Sequence, residues 1–290
     1  MSSFYDKSAS TKSLFSTQNI VIANIGWAVL ALLYFLLFSA KITTTDGTEQ
    51  RADWYLIGTY IFEAVAYLGA GILCFRNWRS PQIVSGRNVW LFISFGMFAY
   101  FTGGIIFDYY EIVIKEEPLV TPADIFFVAA YIFLGWGTIL AVISRRLLLE
   151  KWQWAVVGAI GVVGSLLAWL ISKPPAEQEP APEWIKTLAQ ILNWFYVASD
   201  VTLLIIATTL LLTFWGGRVS QSWRMIAAAA FSLYIADMWL KYASYAIPSY
   251  QSGGILEVFW VFSGVLFGIG AVLEYEASSR SRRAGAKKRA

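Results

Sequence analysis

The chain has 290 residues, 58% of them hydrophobic and 14% charged, with 14 Trp and no His. Eight membrane spans of about 20 residues would use roughly 160 mostly apolar positions, and 58% of 290 is about 168, so the composition is that of an integral membrane protein. About 120 residues are left for loops and tails, mostly in short pieces, which excludes a soluble catalytic domain of ordinary size. Without His there is no His-ligated haem or chlorophyll, no mixed Cys/His zinc site and no Ser-His-Asp machinery. The single Cys74 supports neither an intramolecular disulfide nor a thiolate cluster.

Long apolar stretches between charged or Pro/Gly-rich breaks predict eight spans, at roughly 19–40, 54–75, 88–114, 122–144, 153–172, 186–214, 223–247 and 256–275. The first follows Lys7 and Lys12, has no small-residue cleavage site and is full-length before Lys41, as in an anchor rather than a cleaved signal peptide. The connections at 41–53, 76–87, 115–121 and 173–185 carry the charges and prolines of water-exposed loops. Spans of this length without alternation select helix, because every backbone polar group in a bilayer core must be satisfied within its own segment. The expected fold is all-α, a polytopic membrane bundle with an N-tail at 1–18, four-helix repeats at 19–150 and 151–277, and a basic C-tail at 278–290.

Net charge, only +3, says little for such a chain; placement says more. With a cytoplasmic N-terminus, sixteen Lys/Arg fall on the cytoplasmic side and five on the other (Lys41, Arg51, Lys115, Lys173 and Lys186), Lys241 remaining inside span seven. Positive-inside bias therefore predicts both termini in the cytoplasm, in a bacterial inner membrane or another energy-transducing membrane. The acidic Asp46, Glu49, Asp53, Glu111, Glu116, Glu117, Glu177, Glu179 and Glu183 all fall on the outer side.

Shifting the chain by 133 residues aligns Phe62 with Phe195, Trp90 with Trp223, Phe98 with Phe231 and Tyr109 with Tyr242. It also aligns the run 124–128 with 257–261, and Gly135 and Gly137 with Gly268 and Gly270. One offset serving three helices predicts a tandem duplication, four helices plus four, related by an axis along the membrane normal. Spans one and five align only loosely. The four glycines fit close helix approach, and most Trp and Tyr fit core and interfacial belts.

Ionisable residues inside spans cost about 2.5–3.5 kcal/mol each at a helix centre, so they carry the functional signal. They are Glu63, Asp108, Asp124, Asp200, Asp237, Lys241 and Glu257. At ~1.5 Å per residue, Asp108 lies near the outer surface with Lys241 at the equivalent place, and Asp237 is one turn deeper on the same face. Asp124 and Glu257 open spans four and eight, while Glu63 and Asp200 lie towards the midplane, about 14–20 Å along their helices. All seven are thus in the outer half or near the middle, which predicts a polar pocket opening outward and closing towards Glu63 and Asp200, with Tyr67, Tyr196, Trp194, Tyr234 and Trp239 as candidate walls. Structural roles compete: Asp124 and Glu257 as helix-start caps, Asp108 and Lys241 as a neutralising pair, and Lys241 as a residue snorkelling to the interface.

The stretch Pro122-Ala123-Asp124-Ile125-Phe126-Phe127-Val128-Ala129-Ala130-Tyr131 resembles the P-x-D-x-F-(Y/F)-x-x-x-Y helix opening of multi-pass bacterial sensor regions that precede diguanylate cyclase and phosphodiesterase (GGDEF/EAL) or histidine kinase domains. Tyr196-Val197-Ala198-Ser199-Asp200 resembles the Y-x-x-x-D of a later helix, and Ser222-Trp223 through Ala236-Asp237 is similar to its S-W-x(12-13)-A-D helix. The resemblance spans helices three to eight in the family's order. It implies a sensory or ligand-binding module with a small-molecule or lipid ligand, in which Glu63, Asp108, Tyr196, Asp200, Asp237 and Lys241 are the pocket candidates and Asp124 and Glu257 are caps or rim. Here only the tail from Ser278 to Ala290 follows, with six Lys/Arg, so signalling is expected to pass through a separate partner protein. That tail fits anionic lipid, an acidic partner or a simple stop-transfer anchor.

Asp237-Met238-Trp239-Leu240-Lys241 also resembles the D-x-x-x-K of microbial rhodopsins, and Arg51-Ala52-Asp53-Trp54 their R-x-A-D-W helix. Here that run opens span two and Lys241 precedes a further helix, so order and depth weigh against retinal on Lys241. No resident cofactor, metal or nucleic-acid partner is expected. Enzymatic activity is not expected either, since no nucleophile-base pair, metal ligand set or phosphate loop is visible. The alternatives are a secondary transporter or proton-linked carrier, for which parallel halves with midplane carboxylates would suit, and an assembly subunit of a larger membrane complex.

Overall fold

The computed structural model describes residues 16–43, 49–115, 118–143, 149–171, 181–215, 219–247 and 250–287, with backbone alone for 245 and 281–287. Among them are eight long helices: α1 Thr17–Phe38, α2 Asp53–Arg79, α3 Arg87–Tyr109, α4 Ala123–Ile143, α5 Lys151–Ile171, α6 Glu183–Thr213, α7 Ser220–Ala246 and α8 Val258–Lys287. Seven are long and apolar enough to cross a membrane, as in an integral membrane protein. The exception is α7, which is 27 residues long but carries Arg224, Asp237 and Lys241. Its polarity reflects its position: it packs on α6 and α8 and lightly on α5, burying Trp223, Ile226, Leu233 and Tyr234. Much of α1 and α5 instead exposes Leu, Ile and Val, among them Leu30, Leu37, Val162 and Leu166, an apolar coat that only lipid or another protein satisfies.

Helix boundaries follow local chemistry. Ser16 caps α1 by accepting from the Asn19 amide at 3.2 Å. Gly86, at φ 100, makes the left-handed step that admits the chain into α3. The end of α3 loosens into a π turn, Tyr110–Ile114, closed by Lys115 at φ 59. Two departures from the predicted elements stand out. The connection after α1 contains a short antiparallel hairpin, Ile42–Thr43 with Glu49–Gln50, and α8 runs past the expected tail boundary to Lys287, with Ser278 buried. Asp46, Glu116, Glu117, Glu177 and Glu179, and Lys7, Lys12, Arg145, Arg146, Lys173, Arg218, Lys288 and Arg289, lie outside the described residues.

Residues 133 apart make corresponding contacts. Gly137 faces Val89 O and Ile93 at 3.1 Å, while Gly270 faces Ser222 O and Ile226 at 3.2 and 2.7 Å, measured from an added Cβ. Trp90 and Trp223, both fully buried, meet at the centre with ring centroids 6.4 Å apart. The packing of α2 on α8 corresponds to that of α6 on α4. The outer pair differs, since α1 lies along α8 whereas α5 touches α7.

The end opposite the α1–α2 hairpin is held by a polar clasp. Glu274, fully buried, accepts from the Ser85 amide at 3.0 Å and the Ser85 hydroxyl at 2.9 Å, and Ser85 accepts from Trp90 Nε1 at 2.8 Å. Asn77 donates to Ala271 O at 2.8 Å, and the Val84 amide to Ser278 Oγ at 3.1 Å. Glu274 corrects the expectation that enclosed carboxylates are confined to one half: it seemed to mark the end of span eight, but the longer α8 carries it inside.

Packing at Gly264 is the tightest test of the α2–α8 contact, because an added Cβ would lie 2.9 Å from Ala66 Cβ and 3.1 Å from the Tyr67 amide nitrogen. Gly264→Ala is expected to destabilise the bundle by about 1–3 kcal/mol through overpacking. Gly69→Ala, where nothing lies within 4 Å, should be neutral or slightly stabilising. Thermal melts of both variants in detergent check the contrast.

Candidate functional site

A cavity of about 260 Å³ opens at the end of the bundle formed by the 118–121 and 250–254 loops. Its walls come from α1, α2, α3, α4, α6, α7 and α8, and Glu63, Asp108, Asp124, Tyr196, Asp237, Lys241 and Glu257 all line it. Seven of the eight residues singled out in sequence therefore share one cavity. The eighth, Asp200, is 2% exposed and lies outside the lining, joined to the wall through Tyr131.

The rim is built first. Arg51 is the clasp between two loops: its amide donates to Gln251 Oε1 at 3.0 Å, its guanidinium to the carbonyls of Gln251 at 2.5 Å, Ser252 at 2.9 Å and Ser39 at 3.3 Å. Tyr55 Oη adds a bond to Gly253 O at 2.7 Å, and Gly253, at φ 90, bends the chain towards α8. That bend aims two amides at Glu257, which accepts from Gly253 N at 2.6 Å, Gly254 N at 3.1 Å and the Tyr250 hydroxyl. Burial, and next the Glu257 carboxylate, raise the Tyr250 phenol above its ordinary range, so it stays a donor. Asp124 makes the matching helix-start contact, accepting from Thr121 N at 2.8 Å and from Tyr196 Oη at 2.7 Å. Both carboxylates thus act as caps and line the cavity at once.

Deeper in, the Tyr131 hydroxyl touches Asp200 Oδ1 and Asp237 Oδ2, and Asp237 Oδ1 accepts from Trp260 Nε1 at 2.8 Å. A phenol has one proton to donate, so joining both carboxylates requires a further proton on one of them, donated back to the phenol oxygen. Beneath this unit the Tyr67 and Tyr100 rings stack at 5.0 Å, and Trp90, Trp223 and Phe214 fill the next layer.

Lys241 donates to Asn193 Oδ1 at 2.8 Å and lies 5.7 Å from the Tyr196 ring centroid. The expected neutralising pair is not formed: among the described residues Lys241 makes no ion pair with Asp108. Tyr60 donates to Glu111 of the π turn. Glu63 and Asp108 line the cavity and accept no hydrogen bond among the described residues. The charged groups facing Glu63 are Asp108, Glu257 and Asp237, all acidic. No group of three or more carboxylate or thiol residues among the described residues is arranged to hold a metal ion.

Of the aromatic candidates, only Tyr196 lines the cavity. Trp194 faces outward at 47% exposure, Tyr67 lies in the stack below, and Tyr234 donates to Gly164 O at 2.7 Å. Trp239 sits behind the 253–254 bend, its indole nitrogen 3.0 Å from the position a Gly254 Cβ would take. The residues that sequence reasoning passed over are Tyr60, Tyr131 and Trp260. Each had a helical signal, lying one turn from Glu63, two turns from Asp124 and one turn from Glu257, on the faces those carboxylates define.

Tyr131→Phe is expected to destabilise the protein by about 1–3 kcal/mol, because it leaves enclosed carboxylate oxygens without their donor. Combining it with Asp200→Asn should cost less than the sum of the single changes, since both remove the same bond. Melting temperatures of the two single variants and the double variant complete the cycle. No protein-family model, curated protein or solved structure matches this chain.

Proposed function

We propose that the chain is a sensory or ligand-binding module of eight membrane spans in two parallel four-helix units, with its cavity on the extracytoplasmic side and both termini in the cytoplasm. The corresponding contacts at an offset of 133 residues support the two-unit reading, and the Lys/Arg distribution supports the orientation. A separate membrane or cytoplasmic partner then receives the signal.

The observation that carries this reading is the course of α8. At one end its approach and first turn supply Glu257 and Trp260 to the cavity; 21 residues on, about 31 Å at the helical rise, Ser278 binds the 80–86 loop, with Glu274 one turn before it. A rod anchored to a ligand site at one end and to the far loop at the other transmits a shift along its axis. The polar residues of the sensor-like motifs add support, since Asp124 bonds Tyr196 and Tyr131 bonds both Asp200 and Asp237. Carrier function is less well supported, because the tyrosine stack and the tryptophan layer fill the space beneath the cavity.

Filling the cavity tests the linkage without a known ligand. Gly104 lines the cavity with open space where a Cβ would stand, so Gly104→Leu occupies it without a clash at Cβ. Hydrogen–deuterium exchange should then change by about threefold or more at Ile83–Arg87 and Glu274–Arg280, at the far end. Changes confined to the cavity walls would sink the sensory reading. Substrate flux in proteoliposomes, blocked by the same substitution, would replace it with transport.

A further inference from the structure

The cavity holds an imbalance that its own residues do not resolve. Glu63, Asp108, Asp124, Asp237 and Glu257 line it against a single cation, Lys241, which is already bonded to Asn193. Asp124, Asp237 and Glu257 have donors among the loops and aromatic side chains. Glu63 does not: it is enclosed by the bundle, lines the cavity, has no hydrogen-bond partner among the described residues and faces only other acids. Asp108, equally without a bond, faces Glu111. An enclosed carboxylate without a donor is costly, and a ligand that supplies positive charge or N–H groups at that point removes the cost.

We propose that the cavity takes a small organic cation, an ammonium compound whose charged head sits against Glu63 and Asp108 and whose body is enclosed by aromatic rings. This rests on the reading of the cavity as a ligand site. Tyr60, Tyr100, Tyr131, Tyr196 and Trp260 line the same space, and their negative ring faces attract a cation while their edges pack its carbon atoms. An anion meets five carboxylates, and an inorganic metal ion finds no suitable ligand group among the described residues. The volume, about 260 Å³, lies at the small end of ligand sites and suits a compact amine rather than a lipid tail.

The test uses purified protein in dodecyl maltoside, which carries no ammonium headgroup to compete. Choline and benzylammonium are each titrated beside their neutral isosteres, 3,3-dimethylbutan-1-ol and benzyl alcohol, with tryptophan fluorescence and melting temperature as readouts. At least one cation should bind saturably and at least about tenfold tighter than its isostere, and Glu63→Gln should weaken it by about tenfold or more. Glu63→Gln should melt at or above the wild-type temperature, since the carboxylate has no partner to lose. Equal binding of cation and isostere, undiminished binding to Glu63→Gln or to Gly104→Leu, or no saturable binding of either cation would overturn the proposal. Those outcomes leave the exchange response of Gly104→Leu unaffected, so the cation assignment and the sensory reading fail separately.

Discussion

Carboxylates inside an apolar bundle are tolerated only where donors are brought to them, and much of the polar architecture of this protein follows from that constraint. Asp200 and Asp237 share the Tyr131 hydroxyl, and Trp260 adds a second donor to Asp237. Because Tyr131 belongs to α4, Asp200 to α6, Asp237 to α7 and Trp260 to α8, one hydrogen-bonded unit ties four helices together at the cavity floor. Breaking any of these contacts leaves an enclosed polar atom unsatisfied, which makes the register of the four helices costly to shift. The rim obeys the same rule through backbone amides, with Arg51 holding the loop whose amides reach Glu257.

Against the corresponding backbone contacts of its two units, the protein has an uneven distribution of chemistry. Tyr131 and Asp200 meet where α4 packs on α6; at an offset of 133 residues the places fall to Gly264 and Tyr67, where α8 packs on α2 with no carboxylate. Asp108 and Lys241 hold equivalent positions with opposite charge and line one cavity. A scaffold with two similar halves therefore presents a single asymmetric pocket, and the side chains rather than the helix arrangement make it so. The far end is secured independently by Glu274 and Ser85, so α8 is fastened at both ends while its middle passes through close glycine contacts.

Much of the helical layout was legible in the chain. Predicted span 122–144 is α4 at Ala123–Ile143, and span 153–172 is α5 at Lys151–Ile171, because an apolar run bounded by charge or proline leaves few alternatives. The π turn at Tyr110–Ile114 and the hairpin after α1 were not legible, as both depend on contacts with other elements. The candidate residues were legible for an energetic reason: charge in an apolar helix needs a cause, and seven of the eight positions with that property line the cavity. Their partners were harder to see. Tyr131 and Trp260 look like the many other aromatic residues of the spans, and only their placement beside Asp200 and Asp237 distinguishes them. Glu274 was overlooked for the opposite reason, since a charged residue at the end of an apolar run reads as an exposed helix terminus.

What the sequence determined by itself was where helices run and which of them carry charge, because hydropathy and helical rise act along the chain. It also contained the 133-residue correspondence, visible as matched aromatic and glycine positions. Only the tertiary structure decided which carboxylates are satisfied and which are not. Asp124 and Glu257 have their amides, Asp237 its indole and phenol, and Glu63 and Asp108 accept no hydrogen bond among the described residues. That difference lies in the distance between groups on separate helices, a quantity that no pattern along a single helix contains.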